Sequence, residues 1–275
     1  MKQYFIEQFK ESRGFKVATV IFIALSAWWA SIYFRSLTEG LENDLFTNLL
    51  ILFPLFGGIA GLYYAKLWGG LKSRFGMAIF TLSSGLLAQF IGTILYNYYI
   101  YILGVEVPYP SIGDLFFYVS VLLYIVGAYQ LAKVLGAQFS TQSFTNKLVA
   151  IFIPLVALLG SYLILLRGYD FTDSTPLLIF LDFGWQIGQV IYISIALFAL
   201  FISKNTLGGL MRRPIILLIA ALTVEFISDF QFSYQVNNDT WYVGGFNDYV
   251  FMLSLYLMTL AIFSIGNIYY KIQKS

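Results

Sequence analysis

Residues 176–202 read PLLIFLDFGWQIGQVIYISIALFALFI, a run of 27 residues with a single charged side chain, Asp182. At 1.5 Å per residue, such a run forms a helix about 40 Å long. The hydrocarbon core of a bilayer is about 30 Å thick. A run of this length and polarity is a membrane span, and the rest of the chain is built from the same material. Seven more apolar stretches flank it: Phe15 to Phe34, Leu45 to Ala65, Met77 to Leu103, Ile112 to Ala132, Leu148 to Leu166, Pro214 to Tyr234 and Phe246 to Tyr270. The first is too long for a signal-peptide core and no cleavage site follows it, so a retained helix is expected.

Composition supports the same reading. Of the 275 residues, 59% are apolar and 11% charged, and the mean hydropathy is +0.78. A soluble domain carries about 25% charged residues. The connections between spans are short, which leaves no room for a soluble domain. Cysteine and histidine are both absent, removing thiol nucleophiles, disulfides, the commonest metal ligand and the usual neutral-pH base. No cofactor and no metal centre is expected, and no enzyme. Gly113-Asp114 also falls short of the intramembrane aspartyl-protease pattern, because Ser111 replaces its first glycine. A net charge of +2 without a basic run gives no reason to expect a nucleic-acid partner. A retinal-type light sensor is disfavoured, since no lysine lies mid-span.

Basic residues resist translocation and stay cytoplasmic. Lys2, Lys10, Arg13 and Lys16 precede the first span, and Lys271 and Lys274 follow the last. Lys66, Lys72, Arg74, Lys133, Lys147, Lys204, Arg212 and Arg213 fall in every second loop. Only Arg35 and Arg167 fall on the other side. The distribution predicts a multi-pass protein of the cell membrane with both termini in the cytoplasm and an even number of spans.

Four matches in the same order point to an internal duplication. Phe56-Gly57 with Gly61 recurs as Phe183-Gly184 with Gly188, a small-residue face that lets helices approach closely. Gly69-Gly70-Leu71 with Arg74 recurs as Gly208-Gly209-Leu210 with Arg213, and Gln89-Phe90-Ile91 as Glu225-Phe226-Ile227. Asp114, Phe117 and Ser120 recur as Asp248, Phe251 and Ser254. The expected fold is therefore an all-α, polytopic helical membrane protein of about eight transmembrane helices in two parallel four-helix repeats, residues 1–139 and 145–275. An axis along the membrane normal would relate the repeats and enclose a pocket between them.

Acidic residues inside a span cost roughly 2.5–3.5 kcal/mol each on insertion scales, which marks them as functional candidates. Asp182 lies about 10 Å inside its span at 1.5 Å per residue, Asp229 at a similar depth, and Glu225 one turn deeper on the face of Asp229. The expected site stacks Asp182 with Asp229 above Gln186 with Glu225, adds Gln89 to the lower layer through the repeat, and extends through Trp185 and Gln189. Burial and mutual repulsion disfavour ionisation of both neighbouring carboxylates, so a proton or cation is expected to take part. Structural pairing between helices is the blander account of the same residues. Arg35 and Arg167, at the outer mouth, either pair with these acids or bind an anionic group. Ser111 with Asp114 reads as a capping box, and Asn247-Asp248 as an acidic first turn.

Pro108-Tyr109-Pro110-Ser111-Ile112-Gly113-Asp114, with Phe117 and Tyr118, resembles a Pro-Ser-x-x-Asp signature. The signature is that of the multi-spanning membrane sensor regions found N-terminal to bacterial diguanylate cyclases and histidine kinases. Tyr242-Val243-Gly244-Gly245-Phe246-Asn247-Asp248 resembles their second such signature. The resemblance covers the whole chain and implies a sensing role, in which a cue shifts helix packing. No output domain follows the last span within these residues, so a separate cytoplasmic or membrane partner, or a second copy of the chain, is expected to read the shift. The expected ligand is a small molecule or a cation, with the lipid bilayer as surroundings. Two rival readings are a small-solute or ion-coupled transporter, which duplicated bundles with mid-membrane carboxylates also build, and a structural subunit of a membrane complex.

The chain has no cysteine of its own. Cysteines placed at Thr141 and Asn205 are expected to react with an impermeant maleimide from the cytoplasmic side only. Labelling of either from outside overturns the orientation.

Overall fold

A computed structural model describes residues 2–136, 144–167, 169, 171–172, 174–203 and 209–274. Phe139, Thr141, Lys204, Asn205 and Gly208, all used in the sequence reading, lie outside the described residues. Among the described residues all regular structure is helical, and eight segments are long and apolar enough to cross a membrane. The helices are α1 (Lys2–Glu11), α2 (Arg13–Phe34), α3 (Leu41–Leu49), α4 (Leu52–Leu67), α5 (Arg74–Asn97), α6 (Ile112–Val134), α7 (Phe144–Ser161), α8 (Pro176–Ile202), α9 (Arg212–Asn237) and α10 (Phe246–Lys274). Wider π turns carry α5 on through Tyr98–Leu103 and α7 through Tyr162–Leu166.

Short polar side chains cap four of the helix starts, because the first backbone N–H groups of a helix have no partner within it. Ser12 accepts from Phe15 N before α2 (3.3 Å), Ser73 from Gly76 N before α5 (2.9 Å) and Thr175 from Leu178 N before α8 (3.3 Å). The capping box expected before α6 is present: Ser111 Oγ accepts from Asp114 N (3.3 Å) and Asp114 Oδ2 from Ser111 N (2.6 Å).

Two elements differ from the sequence reading. The second span begins earlier, at Leu41, and is broken into α3 and α4 at Leu50-Ile51. Pro54 explains the break. It has no N–H to donate to the Leu50 carbonyl, which takes Phe53 N at 3.2 Å instead, tightening the chain for one turn. The N-terminal segment also forms a helix of its own, α1. Its buried face carries Tyr4 and Gln8, one turn apart.

Helix packing defines a ring. α4 packs on α5, α5 on α6, α6 on α8, α8 on α9, α9 on α10, and α10 back on α4. α2 lies outside on α10, and α7 outside on α8. Burial follows this plan: 67% of the most apolar stretch of α10 is buried, against 11% for the span containing α7. From Leu148 onward the exposed face of α7, with Ile151, Phe152, Leu155 and Val156, is apolar, as a lipid-facing helix requires. Aromatic stacking docks α2 antiparallel along α10. Phe22 lies over Tyr256 (4.0 Å between centroids) and Trp29 over Tyr249 (4.3 Å), two steps of seven residues running in opposite directions. The face of the bundle holding both termini is closed by α1, where Lys271 reaches Glu7 (2.5 Å) and Glu11 (2.6 Å) and Asn267 donates to Gln8 (3.1 Å).

The small-residue faces bring ring helices into close approach. A Cβ on Gly57 would stand 2.5 Å from Thr259 Oγ1 of α10, and one on Gly61 would stand 1.8 Å from Ser83 Oγ of α5. Thr259 uses the approach to donate to Phe53 O (2.9 Å). Overpacking costs typically 1–3 kcal/mol, so Gly57→Val is expected to lower the thermal midpoint of the purified protein by several degrees. Gly160→Val, on α7 where a Cβ meets nothing within 4 Å, should leave it unchanged. Scanning fluorimetry of both variants in one detergent checks the pair.

Candidate functional site

The ring encloses polar side chains from five of its six helices. At the centre, Gln89 Nε2 of α5 donates to Glu225 Oε1 of α9, and Ser254 Oγ of α10 donates to Glu225 Oε2 (2.6 Å). Glu225 is 2% exposed, and its two oxygens are each taken by a neutral donor. Asp229, one turn further along α9 toward the face opposite the termini, is 6% exposed. Among the described residues no hydrogen bond reaches its carboxylate, and no lysine or arginine pairs with either acid.

Two tyrosines complete this interior. Tyr124 of α6 and Tyr192 of α8 meet edge to face with centroids 6.0 Å apart. Their exposures are 1% and 0%, and neither hydroxyl has a hydrogen-bond partner among the described residues. Gln189 of α8 is 0% exposed with both amide atoms unpartnered, and the Oε1 atoms of Gln89 and Gln186 are unpartnered too. A buried polar atom without a partner costs about 1–3 kcal/mol, so a cluster of them marks a place where something other than folding set the sequence.

The expected stacking of the acids is corrected by the register between α8 and α9. Gln186 Nε2 donates to Ser233 Oγ at 2.9 Å, which sets these two residues level. The helices run antiparallel, so this pairing puts Gln189 level with Asp229, and Glu225 a turn deeper. Asp182 is thus about two turns, or about 12 Å, along the axis from Asp229, and they form no layer. Asp182 instead accepts from Tyr109 OH and from Tyr169 OH (2.7 Å), side chains of two different loops at the face opposite the termini. Spacing along one helix decides which residues share a face, but the relative slide of two helices depends on which partners meet between them.

The remaining candidates are dispersed. Trp185 is half-buried and packed against the hydrophobic core. Arg35 does not meet the acids: its guanidinium grips both oxygens of Glu42 (2.8 and 2.5 Å), and Trp28 Nε1 joins at 3.2 Å, closing the turn between α2 and α3. Arg167 is exposed at the end of the π turn after α7, with no ion pair among the described residues. Asp248 accepts from Gly244 N (2.6 Å) and from Thr47 Oγ1 of α3 (3.2 Å), so its first-turn position also ties two parts of the chain together. Gly244 needs its positive φ of +75° there, with Asn43 Nδ2 3.0 Å from where a Cβ would stand.

Tyr124 and Tyr192 were missed by the sequence reading. Each sits deep inside its span, far from the interfaces where tyrosine is ordinarily placed, and that position was the available signal. Compared with protein-family models, with curated proteins and with solved structures, the chain matches none.

The register is directly testable. The double variant Gln186→Cys/Ser233→Cys is expected to form an intramolecular disulfide under mild oxidation in membranes. The pair Asp182→Cys/Asp229→Cys should stay reduced, and the reverse pattern on a gel would restore the stacked arrangement.

Proposed function

We propose that the protein is a ligand-sensing or signalling module of the cell membrane, with both termini in the cytoplasm, acting through a separate cytoplasmic or membrane partner. The observation that carries the reading is the path from Glu225 to α1. Glu225 holds Ser254 of α10, and α10 continues unbroken from there to Lys271. At that end Lys271 and Asn267 hold α1 through Glu7, Glu11 and Gln8. A helix is stiff along its axis, so a change of charge or hydration at Glu225 that shifts α10 reaches a surface helix at the face bearing the termini. The ion pairs there are half-exposed, and such pairs are individually worth about 0–1 kcal/mol. The ion pairs can therefore be remade at small cost, while buried Tyr4 and Gln8 keep α1 anchored on the bundle. The resemblance to multi-spanning sensor regions supports the same role.

The ring also supports the duplication. Exchanging α4 with α8, α5 with α9 and α6 with α10 maps its order of neighbours onto itself, and the repeat mates Gln89 and Glu225 touch each other at its centre. Residues 1–139 and 145–275 are then the two copies, with the polar interior on the axis between them. A transporter is the second reading, favoured by the carboxylates lying inside a ring of paired helices.

In nanodiscs, with a fluorophore on a cysteine in place of Lys10, Glu225→Gln is expected to keep the protein folded and monodisperse while shifting the emission or anisotropy of the probe on α1. A folded Glu225→Gln protein with an unmoved probe would turn the assignment toward transport. Loss of the folded protein would make Glu225 a structural residue.

A further inference from the structure

We infer that a crevice at the face bearing the termini, between α1, the turn before α9 and the last turns of α10, binds a phosphate group, with the Arg213 guanidinium as its charged ligand. The site lies apart from the polar centre of the ring, and its chemistry stands whether the protein senses or transports.

The crevice has a volume of about 90 Å³, and its lining includes Tyr4, Glu7, Gln8, Gly209, Arg213 and Lys271. That is several times the roughly 10–15 Å³ that admits one water, enough for a phosphate and small for a sugar or a base. Arg213 is half-buried, with its guanidinium carbon 5.0 Å from the centroid of the Tyr4 ring, a stacking that holds the planar fork in place. Its N–H donors meet no hydrogen-bond or ion-pair partner among the described residues. Glu7, the carboxylate in the lining, is spent on Lys271 (2.5 Å), which Glu11 also holds (2.6 Å). Arg213 is thus a cation without a counter-charge at the wall of a cavity. Two buried side chains in the lining add donors. Gln8, 1% exposed, accepts from Asn267 through Oε1 (3.1 Å), which leaves the NH2 end of its amide over. Tyr4, 4% exposed, has a hydroxyl with no hydrogen bond among the described residues.

The backbone points to the same ligand. Gly209 lines the crevice with a positive φ of +67°, and α9 begins shortly after it behind Met211, whose side chain offers no cap. The free N–H groups of a helix start carry about half a positive charge and favour an anion. A carboxylate has two oxygens in one plane, which a single guanidinium occupies, whereas a phosphate keeps further oxygens for an amide donor and a helix start. Phosphate is also the anion of this level of the membrane. The 29 residues of α10 span about 43 Å against a hydrocarbon core of about 30 Å, so the last turns of α10 stand among lipid headgroups. A phospholipid headgroup and a phosphate in solution offer the same chemistry, and the experiment separates them.

The test uses the full-length protein, delipidated into dodecyl maltoside, whose headgroup carries no phosphate, at fixed pH and ionic strength. Inorganic phosphate exchanged for chloride, and dioctanoyl phosphatidic acid, are each expected to raise the thermal midpoint saturably, as a ligand of the folded state must and a generally excluded salt does not. Dioctanoylglycerol, the same lipid without the phosphate, should not. Arg213→Gln should remove both responses, while Arg212→Gln, exposed next to it, should keep them. Arg213→Lys keeps the charge but loses the planar fork, and should raise the half-saturating phosphate concentration roughly tenfold. It decides alone should Arg213→Gln not fold. The tighter of the two phosphate probes names the source, a headgroup or a phosphate in solution, and either upholds the site. No saturable rise beyond that with dioctanoylglycerol, responses unchanged in Arg213→Gln or Arg213→Lys, or an equal loss in Arg212→Gln would overturn it.

Discussion

A carboxylate that enters hydrocarbon must be given donors, and Glu225 receives them from two neighbours that no short-range feature of the chain connects. Gln89 comes from the helix facing it across the ring, and Ser254 from the helix beside it. These bonds tie α5, α9 and α10 together at one buried point, in a region where lipid offers no hydrophobic force to hold helices against one another. The glycine contacts do the complementary work. Gly57 and Gly61 let α4 close onto α10 and α5, and van der Waals contact then covers the polar centre on that side.

The polar centre is only partly reconciled with its surroundings. Glu225 is fully bonded, but Asp229, Tyr124, Tyr192 and Gln189 are buried with groups that bond to nothing among the described residues. A helical bundle selected for stability alone would place leucine or phenylalanine at these positions, because an unpaired buried donor or acceptor costs more than an apolar side chain of the same shape. The contrast with Arg35 and Asp114 is instructive. Arg35 closes on Glu42, and Asp114 is bonded by Ser111 and Tyr96. These charged groups have finished their bonding within the protein and need nothing further to account for them.

The helix that joins this centre to the terminal face is α10. It is the most buried span, it is the neighbour of α2, α4 and α9, and its last turns hold α1. The stacked aromatics Phe22 on Tyr256 and Trp29 on Tyr249 hold α2 against it. On the proposed sensing role, a displacement of α10 would be shared by the outer helix and the surface helix, whereas α7 packs mainly on α8.

The amino-acid sequence by itself determined the spans, because length and apolarity are local properties and a bilayer enforces both. It also determined the capping box at Ser111, the close-approach faces of Gly57 and Gly61, and which residues of one helix share a face, since the helical period is fixed. α1 escaped notice because a short amphipathic segment has no length requirement to announce it, and the break before Pro54 because the apolar run continues unbroken through the proline. The tertiary structure alone decided the slide of α8 against α9, which separates Asp182 from Asp229, and the closure of the ring that brings Tyr124 against Tyr192. Those outcomes depend on contacts between residues far apart in the chain, Gln186 with Ser233 and Gln89 with Glu225, and no periodicity within one helix encodes how far its neighbour is shifted along it.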